Sequence, residues 1–564
     1  MQQFRKRAAA LAPIAVLALG AAACGGGSNT GSSGNTGPAT SRAVRTTQAV
    51  ANGGQATFAY AQACPGFNVN QANDALAICA LVMSPAVLPT TFDIYPDYSL
   101  HADKNLLAGE PTVSTTGGKQ VVTYKLQQKA AWSDGTPIGV DDFKYMFDAC
   151  NGKDTKYVCA STTGYANIES VAQGASDRDV VVTFATPFTD WKSLFGALLP
   201  AHLFASGGAK AFNTQLEGNP PDWTGGPFKI TGFQKDQSVT ETRWDGYYGK
   251  KPHLDSVTFR FLAEETAEPQ ALQNGEVDII YPQPQTDIIQ QVKAIPNVTS
   301  EVNLGAVFEH FDYNQKNPFL KEKAVRLAIS QGMDRKQMLA ATIQQFTDKA
   351  QVLNNRIFMP GQQGYQDNSG GLGNGNASQA QQTLQAGGWT KSGQWYTKNG
   401  QTLALDISTT AGNALRQNQE TIFKQQMAKV GIKINIKNYP ADKFFGDITP
   451  NMKYDIADFA WVGTPFPVSS NVDLYKTGGG ENWLDYSNKN VDQMLGQAIQ
   501  QTDPKQAISM MNDVDKQLWA DIVTMPLYQK PTFIAYRNKY VNIQDNPTNA
   551  GPVWNIWDWG VKTQ

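Results

Sequence analysis

The residues that could do chemistry in this sequence are first of all its five cysteines. Cys24 directly follows a run of small residues, and the other four form two local pairs, Cys64 with Cys79 and Cys150 with Cys159. In an oxidising compartment each pair is expected to form a disulfide. Closing a loop of about fifteen residues would stabilise the fold by roughly 3 kcal/mol in the chain-entropy model. A metal site is the weaker alternative, because the four histidines are not spaced as ligands.

Signatures of catalysis are missing from the sequence. It contains no G-x-S-x-G, no H-E-x-x-H and no phosphate-binding loop. A G-x-G occurs in the Gly- and Asn-rich stretch 361–376, but no strand precedes it, so a nucleotide site is not indicated. The formal net charge of −2 provides no basic field for nucleic acid. We therefore expect no enzymatic activity and no metal or cofactor.

The N-terminus has the pattern of an export signal. Three basic residues, 5–7, precede an apolar run, 8–20, and the small residues 21–23 lead to Cys24. This resembles the lipobox of bacterial lipoproteins, although Ala21 replaces the usual leucine. We expect a signal peptide over 1–23 and lipidation of Cys24, which would anchor the protein stably through two acyl chains. Ordinary secretion with an incidental cysteine is the alternative. Residues 24–54 are expected to be a flexible linker.

The stretch whose sequence pattern predicts local structure most clearly runs from Val121 to Cys150. Alternating apolar residues over 121–127 predict a strand with one apolar face. Ser133-Asp134-Gly135 has the chemistry of a tight turn. Gly139 is a possible N-cap, and the acidic residues 141–142 suit the first turn of a helix. The stretch therefore predicts a strand, a turn and a helix.

The same residues carry a family resemblance. The pattern V-x-Y-x-L-x(5)-W-S-D-G-T-P-x(4)-D-F, from Val122 to Phe143, resembles the signature of the bacterial family 5 solute-binding proteins. These are the oligopeptide- and dipeptide-binding lipoproteins of ABC importers, and the likeness is to the actinobacterial type. Further segments resemble the family in the right order along the chain: 199–203, 225–230, 243–252, 270–280 and 324–339.

Periodicity and turn residues predict further elements. Strands are expected at 55–61, 179–184, 403–408, 432–438, 454–464 and 531–541. Helices are expected at 191–199, 270–274, 324–339, 377–386 and 418–430. The alternation of strands and helices indicates an α/β protein.

The resemblance implies a two-lobed periplasmic-binding-protein-like fold, of the type II, large peptide-binding class, with an interlobe cleft and a hinge. Lobe I would comprise residues 55–307 together with 529–564, which return to it, and lobe II residues 308–528. Two connections would cross between the lobes, and closure over a solute would be a hinge motion.

The resemblance also implies where the solute binds. A tryptophan near the end of one strand lines the ligand groove in the peptide-binding members, and Trp461 matches it. In those members an aspartate three residues later pairs with the peptide's α-ammonium, but this chain has Thr464 there. A neutral hydroxyl cannot compensate a buried ammonium. Asp458, on the same strand, could supply the charge instead, or it could be a scaffold carboxylate.

Five further residues are candidates for contact with the solute. Val462 neighbours Trp461, while Asn482 and Trp483 correspond to a loop near the groove in the family, and core packing is an equal alternative for Trp483. Asn73 and Asp74 correspond to an extended segment that pairs with the ligand in the family. An ordinary turn is the alternative for these two.

Two functions are compatible with these features. The first is an extracytoplasmic, lipid-anchored component of an ABC importer that captures peptides or a related extended solute and delivers them to a permease and ATPase. The second is a lipoprotein of the same fold that regulates cell-envelope assembly. We expect a monomer attached to the outer face of the cell membrane, with no nucleic-acid partner.

Overall fold

The computed structural model describes residues 43–563, so the leader and Cys24 lie outside the described residues. The strands in the first half of the chain are β1 (Val50–Ala51), β2 (Gln55–Tyr60), β3 (Phe92–Ile94), β4 (Leu100–Ala102), β5 (Thr112–Thr116), β6 (Lys119–Lys125), β7 (Ile168–Gln173), β8 (Asp179–Phe184), β9 (Phe228–Gln234), β10 (Ser238–Arg243), β11 (Ser256–Phe261) and β12 (Ile279–Ile280). Those in the second half are β13 (Val298–Tyr313), β14 (Thr390–Ser392), β15 (Trp395–Lys398), β16 (Gln401–Thr402), β17 (Ala404–Ser408), β18 (Lys433–Ile436), β19 (Ile456–Val462), β20 (Thr524–Arg537), β21 (Tyr540–Val541) and β22 (Gly560–Lys562).

The α-helices lie between these strands. They are α1 (Ala77–Met83), α2 (Val140–Cys150), α3 (Ala201–Phe204), α4 (Gly208–Thr214), α5 (Glu268–Asn274), α6 (Thr286–Lys293), α7 (Lys323–Gly332), α8 (Arg335–Ala341), α9 (Ala377–Ala386), α10 (Ala414–Val430), α11 (Ala441–Lys443), α12 (Ser469–Tyr475), α13 (Lys489–Ala498) and α14 (Pro504–Asp521).

Two long antiparallel strands, β13 and β20, connect the two halves of the molecule. Both belong to a ten-stranded sheet with the order β18-β17-β19-β13-β20-β12-β2-β11-β10-β9. They pair from Val298 opposite Arg537 to Asp312 opposite Thr524, with shifts in register between Leu304 and Phe308 and after Glu309. The strands on one side of this pair belong to lobe I and those on the other side to lobe II. The two lobes predicted from the family resemblance are therefore present, and these strands are the connections between them.

The strand, turn and helix predicted at 121–150 are confirmed. Strand β6 alternates buried and partly exposed residues in the sheet β5-β6-β8-β7, and helix α2 packs its apolar face against that sheet. In the turn, the Asp134 carboxylate accepts a hydrogen bond from the Thr136 N–H at 2.9 Å. The Asp142 carboxylate accepts one from the Gly139 N–H, also at 2.9 Å, and so closes the first turn of the helix.

Separate cores fill the two lobes. The largest contains residues from the start of lobe I together with Val553, Ile556 and Trp559, so the C-terminal segment packs into lobe I. Another core, in lobe II, packs α7, α9 and α10 against β17 and β19. Strand β1 pairs with β22, and the Arg45 guanidinium contacts the Glu301 carboxylate, so the folded domain begins before Gln55, inside the stretch predicted to be linker.

The four local cysteines lie in two loops of lobe I. Cys64 is bonded to Cys79 with a Cα–Cα distance of 5.1 Å, and Cys150 to Cys159 with one of 5.5 Å. Both separations lie within the normal range for a disulfide. The first bond ties the loop after β2 to helix α1, and the second ties the end of α2 to the loop that follows it.

Two of the predicted helices are wrong. Residues 191–199 contain only a 3₁₀ turn at Trp191–Ser193, because Phe195 has a φ of 61° and the Leu198 N–H bonds the Pro89 carbonyl instead of its own preceding turn. The helix predicted at 324–339 is two helices, α7 and α8. Met333 is extended between them, and the Asp334 side chain caps α8 by accepting from the Gln337 N–H.

Candidate functional site

In both lobes, the parallel strands end beside the middle of β13 and β20, the two strands that cross between the lobes and that we call the crossing strands. In lobe I, Tyr60 at the end of β2 is level with Phe261 at the end of β11, and β12 runs parallel beside them. Strand β20 is antiparallel to β12, so the positions beyond Ile280 face the middle of β20. In lobe II, β19 ends with Val462 opposite Val307, near the middle of β13. Solutes of open α/β sheets bind outside the carboxyl ends of strands, so the candidate site lies here.

Trp461 lies in an aromatic cluster at this position. Its ring centroid is 5.1 Å from that of Phe459, 5.2 Å from that of Trp483 and 5.9 Å from that of His310. Trp483 and Phe459 are buried, whereas Trp461 is partly exposed. Trp483 therefore supports Trp461 from behind, and Trp461 is the member that has a surface free for a solute to stack on.

Asp458 projects from the opposite face of β19. It is fully buried under α10, where the Gln419 amide donates to both of its oxygens at 3.0 and 3.2 Å. Burial, reinforced by the nearby Glu309, raises the pKa of Asp458 well above its usual value. Residues three apart on a strand point to opposite faces, so Asp458 and Trp461 cannot line the same surface. Asp458 has the contacts of a scaffold carboxylate.

Thr464 and Asn482 bond their own loops. The Thr464 hydroxyl accepts from the Phe466 N–H at 3.1 Å. The Asn482 amide donates to the carbonyls of Lys476 and Tyr486 at 2.9 and 2.8 Å. Val462 is partly exposed and pairs through its backbone with β13. Val462 follows Trp461 directly on β19, so its side chain points to the opposite face, whereas Asn482 directly precedes Trp483, the tryptophan that supports Trp461.

Asn73 and Asp74 lie in the loop closed by the Cys64–Cys79 disulfide. Asn73 is exposed, and Asp74 is buried. Burial raises the pKa of Asp74 to about 6, and its carboxylate accepts a long hydrogen bond of 3.4 Å from the Asn68 N–H. These contacts hold the loop together within lobe I. The contacts found for these two residues do not connect them to the Trp461 cluster.

A buried charge network at the crossing strands was missed by the sequence analysis. Glu309 of β13 is fully buried and receives Arg416 of α10, with two N–O distances of 3.1 Å. The ammonium of Lys530, on β20, lies 3.6 Å from the same carboxylate. Burial raises the pKa of Glu309, but Arg416 and Lys530 outweigh it and the net shift is downward. Residues 306–313 carry Glu309, His310 and Asp312 among five apolar residues, and a glutamate in such a segment was the sequence signal for this network.

A clasp formed by Thr189 and Asp190 joins the lobes away from the hinge. The Thr189 N–H donates to the Ile499 carbonyl at 2.8 Å, and the single proton of its hydroxyl is shared between the carbonyls of Ala498 and Gln501, whose oxygens lie 2.7 and 2.5 Å from the hydroxyl oxygen. The Asp190 carboxylate accepts from the Ser469 N–H, at the start of α12, at 2.7 Å. Residues 189–190 precede β13 and all of their partners lie between β13 and β20, so these bonds bridge the two sides of the crossing strands.

Two further features bear on the type of protein. Within residues 43–563, no three or more His, Cys, Asp or Glu side chains are grouped so that they could hold a metal ion. Over that same range no helix has both the length and the apolar character needed to cross a membrane.

Residues 104–483 match the family described as bacterial extracellular solute-binding proteins, family 5. The oligopeptide-binding protein OppA of Mycobacterium tuberculosis is 34% identical over 486 residues, which are 85% of this chain and 80% of OppA. The probable monoacyl phosphatidylinositol tetramannoside-binding protein LpqW of the same organism is 29% identical over 317 residues, 53% of this chain and 47% of LpqW.

Among solved structures, the periplasmic EDTA-binding protein EppA superposes with a TM-score of 0.87 at 27% identity. The superposition covers 92% of this chain and 98% of EppA. The sequence signature around Trp132, the two crossing strands and the converging strand ends agree with these likenesses. The chain belongs to the family 5 bacterial extracellular solute-binding proteins.

Proposed function

We propose that this protein is the extracytoplasmic, lipid-anchored solute-binding component of an ABC importer. It captures a peptide or a related extended solute between its lobes and delivers it to a permease driven by an ATPase. The observation that carries the proposal is the position of Trp461, partly exposed on a rigid aromatic support where the strand ends of both lobes converge. The similarity to an oligopeptide-binding protein over most of the chain supports peptides as the solute class.

Closure of the lobes is expected to enclose the solute. Strands β13 and β20 form the hinge, and their register shifts near Leu304 and Glu309 mark where the pairing is irregular and bending is easiest. The clasp between 189–190 and lobe II then stabilises the closed state through three hydrogen-bond donors, the N–H groups of Thr189 and Ser469 and the Thr189 hydroxyl.

The proposed function is tested by calorimetry with a matched pair of peptides, one with a free N-terminus and one N-acetylated. We expect both to bind, with affinities that differ by less than about threefold, or roughly 0.7 kcal/mol. The reason is that Thr464 carries no charge and its hydroxyl already bonds the Phe466 backbone.

Asp458→Asn serves as the control in this experiment, because the Asp458 carboxylate is bonded to Gln419 beneath α10. It should leave the ratio of the two affinities unchanged. A preference of tenfold or more for the free amine would contradict the expected weak discrimination. Failure of every peptide in a library of mixed length to bind would contradict a peptide-transport function.

The lipid anchor is tested by Cys24→Ser. The basic, apolar and small-residue segments before Cys24 predict cleavage and acylation at this residue. The variant should appear in the medium or remain as the unprocessed precursor, whereas the parent protein fractionates with membranes. Serine substitution at Cys64 provides a control that does not touch the leader. A Cys24→Ser protein that is processed to the parent's size and still bound to membranes would contradict lipidation.

A second candidate is a lipoprotein of the same fold that acts in envelope assembly and not in transport. The match to LpqW, described as a probable monoacyl phosphatidylinositol tetramannoside-binding protein, covers 53% of the chain against 85% for OppA and does not favour this second function. A partly exposed Trp461 at the convergence of the strand ends also favours a protein that still binds a solute. The presence or absence of neighbouring permease and ATPase genes separates the two functions.

A further inference from the structure

Strand β17 presents a polar face on the side of the sheet away from α10. Its two large apolar side chains are buried in the lobe II core, whereas Asp406 and Ser408 alternate with them and point to the other side. A cavity of about 350 Å³ lies on this polar face, beside Lys437 after β18 and Asp455 before β19. We call it the lobe II groove and define it by these four residues. Its volume falls within the range of small-molecule sites, roughly 300–1,000 Å³.

The lobe II groove is separate from the solute site at Trp461. Asp455 precedes β19 and Trp461 lies near its end, so about 20 Å of extended strand separates the two residues. Among the described residues that line the groove are neither Trp461 nor the rings that surround it. An occupant of the groove would therefore leave the solute site open.

The floor of the lobe II groove contains a buried hydroxyl that has no partner. Ser408 is only 1% exposed and lines the groove, yet its hydroxyl forms no hydrogen bond with any residue in the described part of the chain. Buried polar side chains are normally hydrogen-bonded, and a hydroxyl can both donate and accept. A polar ligand atom in the groove would supply the partner that the fold does not.

Two carboxylates beside this hydroxyl are held in fixed positions. The Asp455 carboxylate accepts from the Asn317 amide at 2.6 Å and from the Asp406 N–H at 2.8 Å. The Asp406 carboxylate accepts from the Asn435 amide at 3.0 Å. Both carboxylates are partly exposed, and each can accept about four hydrogen bonds, so they still have capacity for donors from a ligand. Ligand hydroxyl groups are donors of this kind.

The rim of the lobe II groove carries positive charge. Lys316, Lys437 and Lys453 line it, and all three are exposed. The ammonium groups of Lys316 and Lys437 lie 3.9 Å from their nearest aspartate oxygens, which is longer than a hydrogen bond, whereas Lys453 contacts Asp447 closely. Two loosely paired ammonium groups can therefore turn toward an anionic group on a ligand.

We propose that the lobe II groove binds a sugar that carries an anionic group, a phosphate or a carboxylate. A simple cation would be repelled by the rim lysines, and a simple anion by the two aspartates of the floor. An anionic sugar satisfies both, because its charge meets Lys316 and Lys437 while its hydroxyl groups bond the carboxylates and Ser408. The partly exposed Tyr439, which also lines the groove, offers an aromatic surface to the sugar ring. The site does not depend on the proposed transport function.

The test is calorimetric titration of the full chain with four probes: glucose 6-phosphate, glucuronate, methyl glucoside and inorganic phosphate. We expect at least one of the two anionic sugars to bind about tenfold or more tightly than both methyl glucoside and inorganic phosphate, and which one it is distinguishes a phosphate from a carboxylate. Ser408→Ala and Lys437→Gln should each weaken that binding about fivefold or more, because each removes a hydrogen-bonding group of the groove.

Two controls separate loss of the site from loss of the fold. Lys424→Gln changes an exposed lysine on α10, which packs on the other face of the sheet, and should leave the affinity unchanged. Ser408→Ala removes a hydroxyl with no partner, so its melting temperature should equal that of the parent protein.

Three results would overturn the site. They are no saturable binding of either anionic sugar, binding of methyl glucoside or inorganic phosphate as tight as that of the anionic sugars, and parent-like affinity in both Ser408→Ala and Lys437→Gln. Peptide binding at Trp461 is measured separately, so its failure would contradict the transport function and leave the groove unaffected.

Discussion

Replacing Asp515 with alanine is expected to lower the free energy of unfolding by about 3–5 kcal/mol. Asp515 of α14 and Arg356 form an ion pair with no exposed side-chain surface and an N–O distance of 3.2 Å. The same guanidinium donates to the hydroxyl and carbonyl of Thr524 at 2.7 Å, and it lies 4.1 Å from the centroid of the Trp519 ring. Alanine at position 515 would leave this cation buried without a counter-charge, and the remaining contacts cannot compensate it.

The measurement is equilibrium unfolding in urea, with the midpoint and slope compared between variants. Asp513→Ala is the matched control, because Asp513 lies on the same helix and forms a solvent-exposed ion pair with Lys516 at 2.9 Å. An exposed pair of this kind contributes at most about 1 kcal/mol. Equal effects of the two substitutions would contradict the importance assigned to the buried pair.

Trp461→Ala is expected to weaken solute binding about tenfold or more, which corresponds to roughly 1.4 kcal/mol. The loss combines the buried area of a large ring with the extra energy of ring stacking. Trp461→Phe should retain most of the affinity, because a smaller ring can still stack between Trp483 and the solute. Affinities are measured by calorimetry with a peptide that binds the parent protein.

The control for this substitution is Trp244→Ala. Trp244 is also partly exposed, but it lies in the loop between β10 and β11, with its ring centroid 6.2 Å from that of Tyr247. Its removal should leave solute affinity unchanged. If both tryptophan variants bind like the parent protein, Trp461 does not line the binding surface.

The sequence predicted elements well where local signals agreed with tertiary structure. Helix Ala377–Ala386 has the predicted bounds, since Asn376 caps it and glycines follow it. The C-terminal end of α5 at Asn274 is likewise as predicted, because Gly275, which follows it, takes the left-handed conformation with a φ of 80°, although the helix begins two residues earlier than predicted, at Glu268. These elements depend on neighbouring residues, which the sequence contains directly.

Prediction failed where the backbone forms hydrogen bonds with residues that are distant in the sequence. The stretch 191–199 has a helical composition, yet its carbonyls and amides bond residues 89–91 of another segment. At Met333 the chain leaves the helical path, and the Arg335 guanidinium that follows bonds the carbonyls of Leu353 and Pro526 inside lobe II. Neither partner can be identified from the local pattern of apolar residues.

The candidate site was predicted only in part for the same reason. Trp461 could be found from its family match, and the alternation of a strand would have shown that Asp458 points the other way. The network of Glu309, Arg416 and Lys530 joins positions more than a hundred residues apart along the chain. The sequence could therefore draw attention to each charged residue but could not show that the three lie together.

Closure of the clasp is coupled to protonation of Asp190, so the proton acts as a second ligand that favours the closed state. Burial against lobe II raises the pKa of Asp190 to about 6, although hydrogen bonds from Ser469 lower it, whereas an exposed aspartate titrates near 3.9. The closed form therefore binds a proton more tightly than the open form, and closure is favoured as the pH falls from about 6 toward 4. Fluorescence energy transfer between dyes on the two lobes should show more closed molecules at pH 5 than at pH 7. Asp190→Asn should remove this difference, and an unchanged pH response in that variant would assign the proton to another group. In an acidified surrounding, such a protein would hold its solute longer before release.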